Sequence, residues 1–309
     1  MVEALCIGTA AYDLFFPLDG WLEENRKYEI RSSQESGGGP AANAACLLAR
    51  WGVPTALACV LGDDLYGRRI REELAEAGVD LRLVEVRPGA ATPLSVILVN
   101  TASGSRTVVN SLAATAPLRF GAAGLEVLRG LAPRLLLFDG HQPEASLQAL
   151  ELFPAARTLL DAGSLRPGTE RLAPRVEFLV PSETFARAMT GVADLDTPED
   201  LRRCLSALQA MNRREVAVTL GERGAAYLEG GEARHLPAFP VRAVDSTGAG
   251  DIFHGAFAFG VLRGWPLSEI VRFAAMAAAL SVARPGARAS IPALAEVRAA
   301  LSARSASAG

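Results

Sequence analysis

Lysine is nearly absent from this chain. Lys27 is the only one in 309 residues, and arginine supplies almost all the positive charge. No lysine closes a glycine-rich turn, which excludes a lysine-dependent G-x-x-x-x-G-K-[ST] phosphate loop. Cysteine is scarce too. Cys6, Cys46, Cys59 and Cys204 share no paired spacing. That argues against a disulfide framework or a zinc cluster and for buried thiols in a reducing cytoplasm. No basic stretch precedes the apolar N-terminal run, so no signal peptide is expected. The longest apolar stretch, residues 270–283, is broken by Arg272 and is too short to span a bilayer. Neither sign of charge dominates. A net charge of −3 gives no argument for a nucleic-acid or membrane partner. No G-x-G-x-x-G follows the first apolar run, which disfavours a dinucleotide-binding redox protein.

Half of the residues are hydrophobic, enough for a substantial core. The length suits one large α/β domain, taken here as residues 1–309. Apolar strand-like runs at Ala4–Gly8, Thr55–Leu61, Arg134–Phe138, Thr158–Leu160, Glu177–Val180 and Glu215–Leu220 alternate with helical patterns. The helices are expected at Ala41–Trp51, Leu65–Ala77, Ala145–Phe153, Glu183–Thr190, Pro198–Met211, Gly250–Arg263 and Pro266–Val282. This alternation predicts a mainly parallel sheet with helices on both faces and ligands beyond the carboxyl ends of the strands. Two stretches break the rhythm, Asn25–Ser36 and Thr92–Ser111, the latter turning at Ser103–Gly104. They read as a small accessory β-sheet, with segments at about 14–36 and 90–112 serving as a lid, a homodimer surface, or both. The tail "SARSASAG" reads as frayed.

Two glycine clusters carry the chemistry. In Thr247-Gly248-Ala249-Gly250-Asp251 the glycines permit a sharp turn and close approach of a ligand, and a helical pattern starts at once. A helix N-terminus offers unpaired N–H groups and the positive end of a dipole, which suits a phosphate. Asp251 in that first turn is expected to stay ionised and to accept a proton from an alcohol as its oxygen bonds to phosphorus. The alternative is a helix-capping aspartate. In "GGGPAANAACLLARWG", Gly37–Gly39 form a flexible turn, and Asn43 shares a helix face with Leu47. A buried amide there needs a partner, either a bound polyol or a protein group. Asp13 follows the first strand, at its carboxyl end, as a ligand-binding or a solvated turn residue. His141, in "LFDGHQPE", is either a site residue or a solvated loop histidine, and Arg166 is either an anion-binding residue or not part of the site. His254, three residues after Asp251, reads as core or supporting.

Together these elements resemble the ribokinase-like sugar kinases of the PfkB family, over roughly residues 4 to 295. The resemblance rests on "GGGPAANAACLLARWG" and "DSTGAGDIFHGAFAFGVLRG", supported by "LGDDLYGRRI" and "TLGERGA". It implies an ATP- and Mg²⁺-dependent kinase with the ribokinase-like α/β fold and a β-sheet lid. Gly248, Ala249 and Gly250 would hold the γ-phosphate and Asp251 would be the base. Asp13, Gly38, Gly39 and Asn43 would hold sugar hydroxyls. Thr219, Gly221, Gly224 and Thr247 would line the nucleotide. It also implies a K⁺ site built from Asp245, Thr247 and the Ala283–Ser290 loop, with Ala283, Gly286 and Ser290. The alternative there is that Asp245 only bonds N–H groups of its own turn. The family's N-x-x-E motif is missing, with Ser182 and Phe185 in place of Asn and Glu, and the first signature lacks ribokinase's lysine. "SETFAR", "DAGSLRPG" and "DIFHGAF" look most like the ketohexokinase and sulfofructose kinase branch, implying a ketohexose or modified fructose. A nucleoside kinase of this fold is the nearest alternative, although aromatics are only 6% and few lie near the motifs. A non-catalytic sensor is a third reading.

Overall fold

In the computed structural model, which describes residues 2–103, 105–111, 116–212 and 214–306, the first apolar run forms β1 (Ala4–Ile7). It is followed by β2 (Ala11–Leu18), β3 (Gln34–Gly38), α1 (Pro40–Arg50), β4 (Thr55–Gly62), α2 (Leu65–Glu76) and β5 (Asp80–Arg87). Next come β6 (Leu94–Asn100), β7 (Arg106–Ser111), α3 (Ala122–Leu131), β8 (Leu135–Phe138), α4 (Pro143–Leu152), β9 (Arg157–Ala162) and α5 (Pro167–Leu172). Then follow β10 (Phe178–Pro181), α6 (Glu183–Thr190), α7 (Pro198–Asn212), β11 (Glu215–Thr219), β12 (Ala225–Glu229) and β13 (Glu232–Leu236). The chain closes with α8 (Ala249–Arg263), α9 (Leu267–Ser281) and α10 (Leu294–Ala306).

The large sheet has the order β13-β12-β11-β10-β9-β8-β1-β4-β5. Its strands from β11 to β5 pair in parallel, and the β12–β13 hairpin adds an antiparallel edge. Parallel strands covered on both faces read as unbroken apolar runs. In β1, Ala4 and Cys6 enter one core, whereas Leu5 and Ile7 enter the other.

Helix α8 has no polar stripe. Every residue from Ile252 to Leu262 is buried, as expected for a helix enclosed on all sides. A Cβ added to Gly255 would stand 3.2 Å from the Ala44 Cα, so α8 and α1 nearly touch through their backbones. Edge-to-face pairs Trp51–Phe259, Trp51–Phe273 and Trp265–Phe273, at 5.4, 5.6 and 5.0 Å, lock α1, α8 and α9 together. The clustered aromatics therefore fill the core.

The accessory sheet runs β3-β2-β6-β7. The Asp64 carboxylate fastens one of its roots. It caps α2 by accepting the Gly67 N–H at 2.8 Å, and it also accepts the Thr92 N–H at 2.8 Å and hydroxyl at 2.7 Å just before β6.

All seven expected helices form within three residues of their expected bounds. Helices α3, α5 and α10 and strands β5, β12 and β13 were not expected. In the 25–36 stretch only the last residues join β3, because Asp13 and its neighbours supply the missing strand as β2. The expected turn at Ser103–Gly104 falls between β6 and β7, and Gly104 lies outside the described residues. The tail stays helical through Ala306, and residues 307–309 lie outside the described residues.

Candidate active site

The strands β1, β8 and β9 deliver their carboxyl ends beneath the mouth of α8. Gly248 caps that helix with φ of 75°, a left-handed conformation open to glycine at little cost. Beyond it, the N–H groups of Gly250 and Asp251 have no acceptor among the described residues. A Cβ added to Gly250 would meet nothing within 4 Å, so the mouth is open where an anion would sit.

Asp251 stands at this mouth, and its Oδ2 accepts the Asn43 Nδ2–H at 2.7 Å. Burial, followed by the carboxylates of Asp161 and Asp13, raises its pKa to about 7, against the opposing pull of Asn43 and His254. The sequence reading, from the helix terminus alone, expected a permanently ionised group. That expectation is corrected by carboxylates brought in from other strands. A carboxyl poised near neutrality is a competent proton acceptor.

Asp13 does not end the first strand as expected. The chain leaves the large sheet after β1, and Asp13 lies inside β2, opposite Ser36 and Ser95. Burial raises its pKa to about 6, with the Ser95 hydrogen bond and Arg288 opposing. A Cβ on Gly38 would lie 1.9 Å from Asp13 Oδ2, and one on Gly37 would lie 2.0 Å from an Arg288 nitrogen. Gly39, with φ of 95°, abuts the Thr9 carbonyl. The triple glycine thus makes room for two charged side chains and lets α1 start beside β1. Asn43 is satisfied by protein alone, through Asp251 and the Arg288 Nε–H at 3.1 Å.

Four groups of the site escaped the sequence reading. Asp139 accepts the N–H groups of Thr9, His141 and Ala41 at 2.7, 2.9 and 3.3 Å and ties three segments together. Burial works against its charge, yet His141 and these N–H groups hold its pKa below the usual range. Asp161, buried and raised in pKa by desolvation, lies 3.2 Å from His254 Nδ1. Both end apolar strands, the signal that singled out Asp13. Glu73 and Arg288 carry no local signal.

His254 is buried, as expected, and its ring nitrogens face the Gly250 carbonyl at 2.7 Å and the Val180 carbonyl at 2.8 Å. His141 and Arg166 meet each other, and Arg166 also meets Ser164. Among the described residues Arg166 forms no ion pair, and its buried Nε has no partner.

On the nucleotide side, Thr219 ends β11, Gly221 opens the turn after it, and Thr247 Oγ1 is buried without a partner among the described residues. Gly224 presses against the Leu236 carbonyl of β13, where a Cβ would stand 2.1 Å away. Asp245 joins two loops, accepting the Thr247 N–H and the Gly286 N–H, each at 2.8 Å. Ala283 and Ser290 belong to the second of these loops, and the Ser290 hydroxyl bonds the Ala287 carbonyl at 2.9 Å. Ser182 caps α6, and Phe185 is fully buried, so a core ring stands where a glutamate was sought.

Residues 1–294 match the pfkB family carbohydrate kinases. The chain belongs to that family. This carbohydrate kinase is 31% identical over 274 residues to the ribokinase of Schizosaccharomyces pombe, covering 84% of this chain and 85% of that one. It is 27% identical to the deoxyribokinase of Salmonella typhi over 95% of this chain and 96% of that one. The structure of Arabidopsis thaliana ribokinase complexed with ribose and ATP superposes with a TM-score of 0.82 at 26% identity, covering 97% of this chain and 98% of that one. The kinase is thus of the ribokinase type, a phosphotransferase acting on an alcohol group, with the ribokinase-like fold. These relatives lend no support to the narrower ketohexokinase and sulfofructose kinase likeness. No helix among the described residues is long and apolar enough to cross a membrane.

Proposed function

We propose that this kinase transfers the γ-phosphate of ATP to a hydroxyl of a small sugar held between the two sheets, with Asp251 as the base. The observation that carries this reading is Asp251 poised near neutrality beside an open helix N-terminus. Asp13, with Gly38 and Gly39, would orient the sugar, and Thr219, Gly221 and Thr247 would line the nucleotide. As the sugar oxygen bonds to phosphorus, its proton passes to Asp251 and the bond to the ADP oxygen breaks. The N–H groups of Gly250 and Asp251 stabilise the charge on the moving phosphoryl group. The accessory sheet would close over the sugar and exclude water, which otherwise competes as acceptor.

Among the described residues no group of three or more His, Cys, Asp or Glu side chains is placed to hold a metal ion, so a divalent cation would arrive with the nucleotide. Mg²⁺ supplies charge neutralisation on the phosphates when bound. With Phe185 in the core, it would be held by phosphate oxygens and water and not from α6. The orphaned Thr247 hydroxyl and the Asp245 bridge fit a K⁺ ion between the two loops, with carbonyls of Ala283 and Gly286 and Ser290 as further donors.

Ribose and deoxyribose are the first acceptors, following the relatives. A ketohexose is the second, because the first signature lacks ribokinase's lysine. The exposed Val108 and Val109 on edge strand β7 offer a homodimer surface. The test is ADP release with MgATP over D-ribose, 2-deoxy-D-ribose, D-fructose, a sulfofructose and adenosine. Turnover with a sugar supports the reading. Turnover with adenosine alone would replace it with a nucleoside kinase, and turnover with none would refute it.

A further inference from the structure

Arg288 is only 3% exposed, and a buried guanidinium is tolerated only where its donors are used. Its nitrogens reach three elements. Nε donates to Asn43 Oδ1 at 3.1 Å, Nη1 to Glu73 at 2.9 Å and Nη2 to the Gly38 carbonyl at 3.3 Å. Glu73, on α2, also accepts the Gly37 N–H, at 2.8 and 3.1 Å from its two oxygens. A guanidinium cannot accept a hydrogen bond, so only the oxygen end of the Asn43 amide can face Arg288. The NH₂ end must then face Asp251, and it donates to Oδ2 at 2.7 Å. That occupies one oxygen of the base and leaves Oδ1 without a protein donor among the described residues.

We infer that Glu73 and Arg288 form a positioning pair for the base. They fix the Asn43 amide so that Asp251 takes the sugar proton on Oδ1, and they fasten the same setting to strand β3 of the accessory sheet. The inference rests on Asp251 being the base. Gly37 and Gly38 close β3, so a shift of that strand is felt by Arg288, by the amide and by the carboxylate. The titratable groups around Asp251 are Asp161 on β9, Asp13 on β2 and His254 on α8. None of them contacts the Asn43 oxygen, so none can replace Arg288 in orienting it.

The experiment uses full-length Arg288→Met, Arg288→Lys, Glu73→Gln and Asp251→Asn. It follows single-turnover phosphoryl transfer from MgATP to D-ribose, or to the best acceptor of the panel above. ATP dissociation constants are measured alongside, together with a ¹³C titration of the Asp251 carboxyl, assigned by its loss in Asp251→Asn. Arg288→Met should slow transfer about tenfold or more, in line with the cost of small misplacements of reacting groups. ATP affinity should stay within twofold, and Asp251 should titrate at higher pH once its Asn43 bond is lost. Arg288→Lys restores the ion pair with Glu73 but not the three-way fork, and it should stay slow. Glu73→Gln, of unchanged shape, should move rate and titration in the same direction if Arg288→Met does not fold. Full activity in Arg288→Lys, or an unmoved rate and titration in Arg288→Met or Glu73→Gln, would overturn the inference. Normal transfer in Asp251→Asn would instead overturn the base assignment beneath it.

Discussion

Replacing Asp251 by asparagine should make this kinase more stable and nearly inactive. The folded protein keeps a proton on Asp251 that the unfolded chain has already released between pH 3.8 and about 7. The energetic cost of this carboxylate therefore grows as pH rises across that interval and is complete above it. From 3.8 to about 7 corresponds to about 4 kcal/mol. The residue is partly open to water, whose screening reduces the expected penalty to about 1–2 kcal/mol. An asparagine can still accept the Asn43 hydrogen bond and carries no charge. Thermal unfolding at pH 8 should then show a rise of about 1.5–3 °C, small because the unfolding entropy of a 309-residue chain is large. At pH 4 the two proteins should melt together. Phosphoryl transfer should fall on the order of 10²–10⁴-fold. In the parent, kcat/KM should climb with pH through a midpoint at about 7 and level off above it, and the variant should lack that limb. A variant no more stable than the parent at pH 8 would refute the electrostatic reasoning. Turnover within about tenfold of the parent would refute the base.

Other substitutions separate the parts of the site. Gly250→Ala places a methyl in the open mouth while improving helix propensity, so the melting temperature should hold or rise by the equivalent of about 0.5–1 kcal/mol while kcat for phosphoryl transfer drops; parental kcat would place the phosphate elsewhere. Asp13→Ala should cost the sugar's kcat/KM about 1–3 kcal/mol and leave the ATP dissociation constant unchanged, whereas equal losses in both would indicate general damage. Exchanging K⁺ for a tetraalkylammonium salt at equal ionic strength should lower the rate, and Asp245→Ala should remove that sensitivity. Identical rates in both salts would leave Asp245 as a purely structural bridge between its two loops.

What was legible in the sequence was whatever is written locally. The apolar strand runs, the all-apolar α8 and the glycines that open its mouth each follow from neighbours along the chain, and they suffice for the fold and for the place of Asp251. Asp139 and Asp161 were within reach, since each ends an apolar strand. The charge state of Asp251 was not, because the carboxylates that set it arrive from β2 and β9. Glu73 and Arg288 were less legible still. A glutamate on a helix and an arginine in a loop are ordinary until the fold brings them together. Phe185 shows the converse. The sought glutamate's position reads as a departure in the motif, and only packing shows that the ring is needed to fill the core.

The partners of Asn43 also bear on how the protein is made. Asn43 is synthesised early, yet its two hydrogen-bond partners lie 208 and 245 residues further along. On the ribosome, β1, α1 and β4 emerge with a buried amide that nothing yet satisfies, and the pocket for α8 stays vacant while most of the sheet is assembled. Contacts of such long sequence separation form late and slowly. The candidate site therefore stays incomplete until residue 288 has appeared, and a product cut short before Arg288 lacks the residue that joins Asn43, Glu73 and Gly38.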